Sequence, residues 1–301
     1  MIKRIKDYLQ LVKLSLSIMV VFSSVISFML TKGFEAYEDN KWWKVLFLFV
    51  GGMLVTGSAN AINQAVEKDT DARMKRTGKR PIASGRMSVQ EGWTFAIITG
   101  ASGVFILGNS FNWLTAGLAA FSLFLYAFIY TPLKKVSSIA VLVGAVPGAL
   151  PCLIGWTAGE DQLSMGGWLL FGIQFLWQFP HFWAIAWVAH TDYSAVGFKL
   201  LPADKGPTKF TALQAVIYSL LLLPVTLLPY FVGGQGYTAM CSYNDIPGII
   251  SIGLILVANV FMIMRSIRLY QKMDVGSARR VMFGSYMYLP VILLALLMSK
   301  I

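Results

Sequence analysis

Residues 45–81 read Val45-Leu-Phe-Leu-Phe-Val-Gly-Gly-Met-Leu-Val55-Thr-Gly-Ser-Ala-Asn60-Ala-Ile-Asn63-Gln-Ala-Val-Glu67-Lys-Asp69-Thr-Asp71-Ala-Arg73-Met-Lys75-Arg76-Thr-Gly-Lys79-Arg80-Pro81. No charged residue occurs from Val45 to Val66, and a helix needs about 20 apolar residues to cross a bilayer. The segment therefore reads as a membrane span. Amides enter its second half at Asn60, Asn63 and Gln64. Three carboxylates follow at Glu67, Asp69 and Asp71, and then five bases before Pro81. A span that runs into acid and then into base sets the fold class and marks a site at one membrane face.

The rest of the chain repeats the apolar pattern. Hydrophobic residues make up 56% of the 301 positions, charged ones 13%, and the mean hydropathy is +0.65. A soluble domain carries about 25% charged residues. Spans are expected at 14–32, 45–65, 92–108, 113–131, 138–157, 167–188, 210–232, 247–264 and 281–299. The fold class is thus all-α: one polytopic membrane domain, 1–301, of about nine transmembrane helices. Residues 1–13 hold Lys3, Arg4, Lys6 and Lys13 beside Ile5, Leu9 and Val12 and fit an interfacial arm. A signal peptide is the rival reading of this start; the run at 14–32 is long for one and lacks a small-residue cleavage site.

The net charge of +11 would suggest nucleic acid in a soluble protein, but here it has a membrane explanation. With the N-terminus inside, 21 of the 25 Lys and Arg fall on the cytoplasmic side, as the positive-inside rule requires. The 66–91 and 189–209 loops are then cytoplasmic, and 233–246, with no base, is external. Trp42, Trp43, Trp113, Trp156 and Trp168 are expected at outer helix ends, Trp93 and Trp187 at inner ones. Cys152 and Cys241 have no metal-ligand spacing.

If span two continues as a helix, Asn63, Glu67 and Asp71 recur every four residues on one face. Two like charges one turn apart destabilise a bare helix, and a hard cation such as Mg²⁺ reverses that sign. The bases that follow suit phosphate, and Arg can bind it bidentately. A solvated loop, with Asp69–Arg73 and Asp71–Lys75 pairs, is the plainer alternative, but it leaves Asn63 and Glu67 inside the apolar run unexplained. In the sixth span Gln174, Gln178 and His181 form one polar stripe, broken by Pro180. Such a stripe either knits helices or meets a ligand, and an interior imidazole can ligate a metal or carry a proton. Gly144 and Gly148 form a GxxxG packing motif.

Asn63 to Pro81 resembles the first aspartate-rich motif of the intramembrane aromatic-prenyltransferase (UbiA-type) superfamily. More narrowly, the Ala61-Ile-Asn63, Asp69-Thr-Asp71 and Met74 to Pro81 pattern is similar to that of the haem-farnesylating branch, the haem O synthases. So are Tyr130-Thr-Pro-Leu-Lys134-Lys135, Gly144-Ala, Pro147, Pro151, Gly155-Trp156, Pro180-His181-Phe182, Asp192-Tyr193 and Leu201-Pro202. The likeness runs from about residue 10 to the end. It departs at Glu67, where the family usually has Asp, at His190 in place of a base before Asp192, and at Pro151-Cys152 in place of a double proline.

The resemblance implies a central cavity open to the cytoplasm, in a bacterial inner membrane, with Mg²⁺, farnesyl diphosphate and haem b. It implies catalytic Asn63, Glu67, Asp71 and Asp192, with Glu67, Asp71 and Asp192 on the metal. Arg76, Arg80 and Lys134 would hold diphosphate, and His181, Gln178 and Gln174 the acceptor. A haem A synthase or terminal-oxidase assembly would be the partner downstream. Two other classes account for part of the pattern: a sister prenyltransferase acting on a quinone or chlorophyll precursor, and a transporter with an intramembrane polar site.

Overall fold

The computed structural model describes residues 2–202, 206–233 and 239–301. The expected cytoplasmic loop 189–209 and external loop 233–246 therefore lie partly outside the described residues. In chain order the helices are α1 Ile2–Leu11, α2 Leu14–Met29, α3 Lys32–Ala36, α4 Lys41–Val66, α5 Lys68–Arg73, α6 Val89–Ser110 and α7 Trp113–Phe124. There follow α8 Thr131–Leu133, α9 Ala140–Glu160, α10 Met165–Val188, α11 His190–Ser194, α12 Lys209–Leu227, α13 Ile246–Lys272 and α14 Val275–Met298. A π-helical turn, Leu125–Tyr130, joins α7 to α8.

Among the described residues seven helical segments are long and apolar enough to span a membrane, and the bent pair α1–α2 makes an eighth. The expected count of nine is not confirmed. The helix that leaves it open is α10. Its 24 residues are long enough, but Gln174, Gln178, His181 and Pro180 dilute its hydropathy. It packs at the centre of the bundle against α9, α12 and α14, where polar groups find partners.

The ends of several helices differ from expectation for one reason. Hydropathy falls where charge begins, whereas backbone hydrogen bonding continues. The five bases between the last two expected spans lie on helices: Arg265, Arg268 and Lys272 on α13, Arg279 and Arg280 on α14. Only Met273 and Asp274 separate the two. Asp274 caps α14 through Ser277 N–H, and Met273 takes the left-handed conformation that reverses the chain.

Four tryptophans fit the interfacial belt. Trp42, Trp43, Trp113 and Trp168 are exposed. Trp156 and Trp187 are buried instead, and Trp156 Nε1 donates to Ser164 Oγ at 2.8 Å. They are core residues of the central helices.

The glycines of α9 let neighbours approach closely. A Cβ on Gly155 would lie 1.9 Å from Ser24 O of α2, and one on Gly148 would lie 2.0 Å from Gln178 Oε1 of α10. Gly144 faces the Tyr130 ring. The GxxxG pair thus seats two different side chains rather than one helix. Pro151 removes the N–H that would pair with Pro147 O, and Ser122 Oγ donates to that carbonyl at 3.1 Å. At the end of the bundle remote from the acid-rich segment, Lys300 Nζ donates to Met29 O and Thr31 O at 2.9 and 2.8 Å. This ties the last residues of the chain to the end of α2.

Candidate active site

The acid-rich segment is not one continuous helix. α4 stops at Val66, and Glu67 leaves the helical region at φ −95°, ψ 13°. Hydrogen bonds still cross the break: Glu67 N–H donates to Asn63 O at 3.0 Å and Asp71 N–H to Glu67 O at 2.7 Å. The four-residue register survives, and Asn63, Glu67 and Asp71 are all buried. Asp69 is exposed, so the solvated-loop reading holds for it alone.

Buried carboxylates need compensation. Lys134 Nζ lies 2.5 Å from Glu67 Oε1. Both groups are buried, so the contact is an ion pair shielded from water. Arg80 Nη1 donates to Asp71 Oδ2 at 2.7 Å. The expected Asp71–Lys75 pair does not form, because Asp71 points inward while Lys75 is exposed. Asp71 Oδ1 is buried and meets no donor.

Lys134 reaches Glu67 because of the chain just before it. Pro132 cannot donate to the preceding turn, and the helix widens into the π turn at Leu125–Tyr130, a device frequent at functional sites. Thr131 Oγ1 donates to Tyr126 O at 2.8 Å. The Lys134 ammonium lies 4.9 Å from the Tyr130 ring centroid and 5.3 Å from that of Phe198. Burial pulls the Lys134 pKa below the ordinary lysine value, and Glu67 opposes that fall.

The 190–201 segment joins the site from the other side. Arg76 Nη2 donates to Tyr193 Oη at 2.8 Å, and Lys199 N–H donates to Lys134 O at 2.8 Å. Met74 packs with Val196 and Phe198. Asp192, on the short α11, is half-buried. Among the described residues no three His, Cys, Asp or Glu side chains are already gathered around a metal position. Glu67 and Asp71 are held by Lys134 and Arg80. A cation still has chemical reason to bind at Asp71, whose free, buried oxygen is a hard anionic donor.

Sequence reading missed Lys13. It sits at the break between α1 and α2 in the left-handed conformation, φ 48°. Half-buried overall, it turns its ammonium inward to donate to Asn63 Oδ1 at 3.2 Å. Burial first, and then the cations Arg80 and Lys134, lower its pKa to about 7 against the opposing pull of Glu67 and Asp71. Its only sequence signal was one base before a span, which reads as topology charge. The neighbouring amides hold the arm in place. Asn60 Nδ2 donates to Val12 O at 3.1 Å, and Gln64 Nε2 to Gln10 O and Leu11 O at 3.1 and 2.9 Å. These bonds hold the carbonyls at and just beyond the end of α1. Arg86 Nε bonds the buried Asp7 at 2.8 Å, locking the arm to the loop.

The stripe on α10 divides in two. Gln174 Nε2 donates to Gly148 O at 2.7 Å and Gln178 Nε2 to Ala145 O at 2.9 Å. Cys152 Sγ donates to Gln174 Oε1 at 2.9 Å. The glutamines bracket α10 to α9, as the knitting alternative requires. His181 faces α14. Its Nδ1 lies 2.7 Å from Ser285 Oγ, which itself donates to Met282 O at 2.7 Å. That network assigns the proton to Nδ1 and leaves Nε2 its lone pair. Trp177 stacks on the ring at 4.6 Å, and Tyr286 meets it edge-on at 5.1 Å.

A buried acid pair, each acid matched to a base, at one end of a helical membrane bundle defines a class. The model of the UbiA prenyltransferase family matches residues 21–289, and the chain belongs to that family. It is 39% identical over the full length of both chains to the protoheme IX farnesyltransferase of Cytophaga hutchinsonii. It is 40% identical to that of Flavobacterium psychrophilum, covering 98% of this chain and 94% of the relative. Among solved structures, a digeranylgeranylglyceryl phosphate synthase superposes with a TM-score of 0.76 at 20% identity, covering 99% of this chain and 98% of the other. A UbiA homolog from Archaeoglobus fulgidus bound to GPP and Mg²⁺ gives 0.68 at 14% identity, covering 96% and 99%. These structures share the fold.

Proposed function

We propose that the protein transfers the farnesyl group of farnesyl diphosphate to a vinyl group of haem b, giving haem O and releasing diphosphate. The protoheme IX farnesyltransferases to which it is similar support the reaction. The observation that carries the site assignment is the pairing of Glu67 with Lys134 and of Asp71 with Arg80. A metal–diphosphate matches both halves of these pairs. Glu67 and Asp71 would hold the cation and Lys134 and Arg80 the phosphate oxygens, so that each buried group would keep a partner of opposite charge.

Glu67 and Asp71 would hold Mg²⁺, which when bound supplies Lewis-acid neutralisation of the leaving diphosphate. Arg76, Arg80 and Lys134 add charge-assisted bonds to the same oxygens. Asn63, which accepts from Lys13, orients the rim nearest α1. The allylic C–O bond breaks, the diphosphate carries away its electron pair, and the vinyl carbon forms the new C–C bond. Water then adds to the cation left on the other vinyl carbon and gives up one proton, to the released diphosphate or to solvent, leaving the hydroxyl of the product. Aromatic faces such as Tyr130 suit the positive charge that develops on the allylic carbon. His181 contacts the haem, Gln174 and Gln178 fix the helix that carries it, and Asp192 stands at the rim beside Tyr193.

The charge asymmetry supports a cytoplasmic N-terminus in a bacterial inner membrane, and the product would pass to haem A synthase or oxidase assembly. A quinone-directed sister enzyme shares the acid-rich segment but gives no use to the imidazole on Ser285. The test is incubation of the purified protein with Mg²⁺, haem b and farnesyl diphosphate, followed by mass analysis of the haem. A haem heavier by one farnesyl group and one hydroxyl group supports the reading, and unmodified haem under all metal conditions overturns it.

A further inference from the structure

We infer that the elbow between α1 and α2 is a binding site for an anionic phospholipid. The two helices bend by 48° at the break, and the elbow holds a concavity of about 520 Å³. Lys6, Gln10 and the stem of Lys13 line its polar side, and Leu9, Leu14 and Leu16 its apolar side. These leucines are 42%, 37% and 52% exposed, which in a membrane protein is surface offered to an acyl chain.

Charge selects the head group. α1 carries one carboxylate, Asp7, and it is buried on Arg86. Arg4 is taken by Glu91. Lys3 and Lys6 are exposed, and among the described residues no carboxylate pairs with them. The outer face of α1 is therefore cationic and apolar with its acid removed inward. That surface is complementary to a negatively charged head group at the hydrocarbon boundary. A zwitterionic lipid adds an ammonium that meets only lysines. The elbow is also braced for a ligand: Asn60 and Gln64 hold the α1 carbonyls, and Lys13 pins the break to Asn63.

The experiment is native mass spectrometry of the full-length protein from mixed micelles of phosphatidylglycerol and phosphatidylcholine. We expect preferential retention of phosphatidylglycerol. Each of Lys3→Ala and Lys6→Ala should lower that preference by about fivefold, the worth of one Lys near an anionic surface. Lys272→Ala, an exposed base on another helix, should leave it unchanged. Equal retention of the two lipids, or an equal loss in Lys272→Ala, would overturn the proposal. So would displacement of the lipid by inorganic diphosphate, which would make the elbow a free-anion site. A dimer that dissociates in Lys6→Ala would overturn it too, with a second copy of the chain as the occupant. None of these outcomes depends on haem farnesylation, which is measured separately.

Discussion

Arg80 donates to one oxygen of Asp71, Oδ2 at 2.7 Å, while the other oxygen, Oδ1, is buried and meets no donor. A buried carboxylate with one oxygen unsatisfied is costly in a finished protein interior. The cost is explained when the site is completed by a cation. Glu67 is buried as well, and Lys134 pairs with it.

This pairing separates stability from function by a double-mutant cycle. Glu67→Gln strands the Lys134 ammonium in a site where it is 6% exposed. We expect turnover to be lost and stability to fall by about 3 kcal/mol, the typical cost of breaking a buried pair. Adding Lys134→Met should restore most of the stability without restoring turnover. Glu67→Asp should keep both, since it retains the carboxylate. Thermal unfolding and haem farnesylation on the wild type, Glu67→Gln, Lys134→Met, the double variant and Glu67→Asp check this. A double variant as unstable as the single one would show that Lys134 is held by Tyr130 and Phe198 rather than by charge.

Membrane sidedness is testable by thiol labelling of intact cells. Cys152 and Cys241 are both buried, so the native cysteines report nothing and serve as a silent background. Ser84→Cys, in the 66–91 loop, should be protected from an impermeant maleimide until the membrane is opened. Tyr243→Cys, at a position 49% exposed, should label at once. The reversed pattern would invert the topology.

The bundle was legible because lipid demands long apolar runs, and the acid-rich segment because carboxylates at membrane depth need a reason. What the sequence hid lay in long-range pairing. Nothing near Glu67 announces Lys134, and nothing near Asp71 prefers Arg80 to Lys75. Those choices are made by the break at Glu67 and the π turn before Lys134. On α10 the sequence leaves two readings open: Gln174, Gln178 and His181 share a stripe by periodicity, yet the glutamines bond α9 and His181 bonds Ser285 of α14. An amide reaches a neighbour's carbonyl at a distance that a helical wheel does not encode. Lys13 was hidden because a base before a span looks the same whether it faces water or the site.

Lys13 gives the site a pH dependence whose sign follows from its burial. Its pKa is lowered to about 7 from the ordinary lysine value. Between these two values the unfolded chain holds a proton that the folded one has released, so this group favours folding more as pH rises. Diphosphate affinity runs the other way. Raising pH through about 7 removes a positive charge beside Asn63, and binding of a non-hydrolysable farnesyl diphosphate analogue should weaken. Lys13→Arg, whose guanidinium stays charged, should flatten that profile. An unchanged profile in the arginine variant would assign the titration elsewhere.

The acceptor is tested at His181. Ser285 Oγ accepts from Nδ1 while donating to Met282 O, and Nε2 is left with a free lone pair among Trp177, Phe182 and Tyr286. A neutral imidazole held in one tautomer against aromatic faces suits a flat apolar macrocycle and its iron. His181→Ala should therefore weaken haem binding and turnover at least tenfold, about 1.4 kcal/mol, and leave the diphosphate analogue bound as before. Arg80→Ala should do the reverse. Ser285→Ala should produce a smaller loss in haem affinity, since it frees the ring to rotate without removing it. Haem absorbance titrations and analogue binding on the three variants resolve the pattern. If His181→Ala left the haem spectrum and affinity intact, the imidazole would be a packing partner of Ser285, and the acceptor would have to lie on the Tyr193 side of α10.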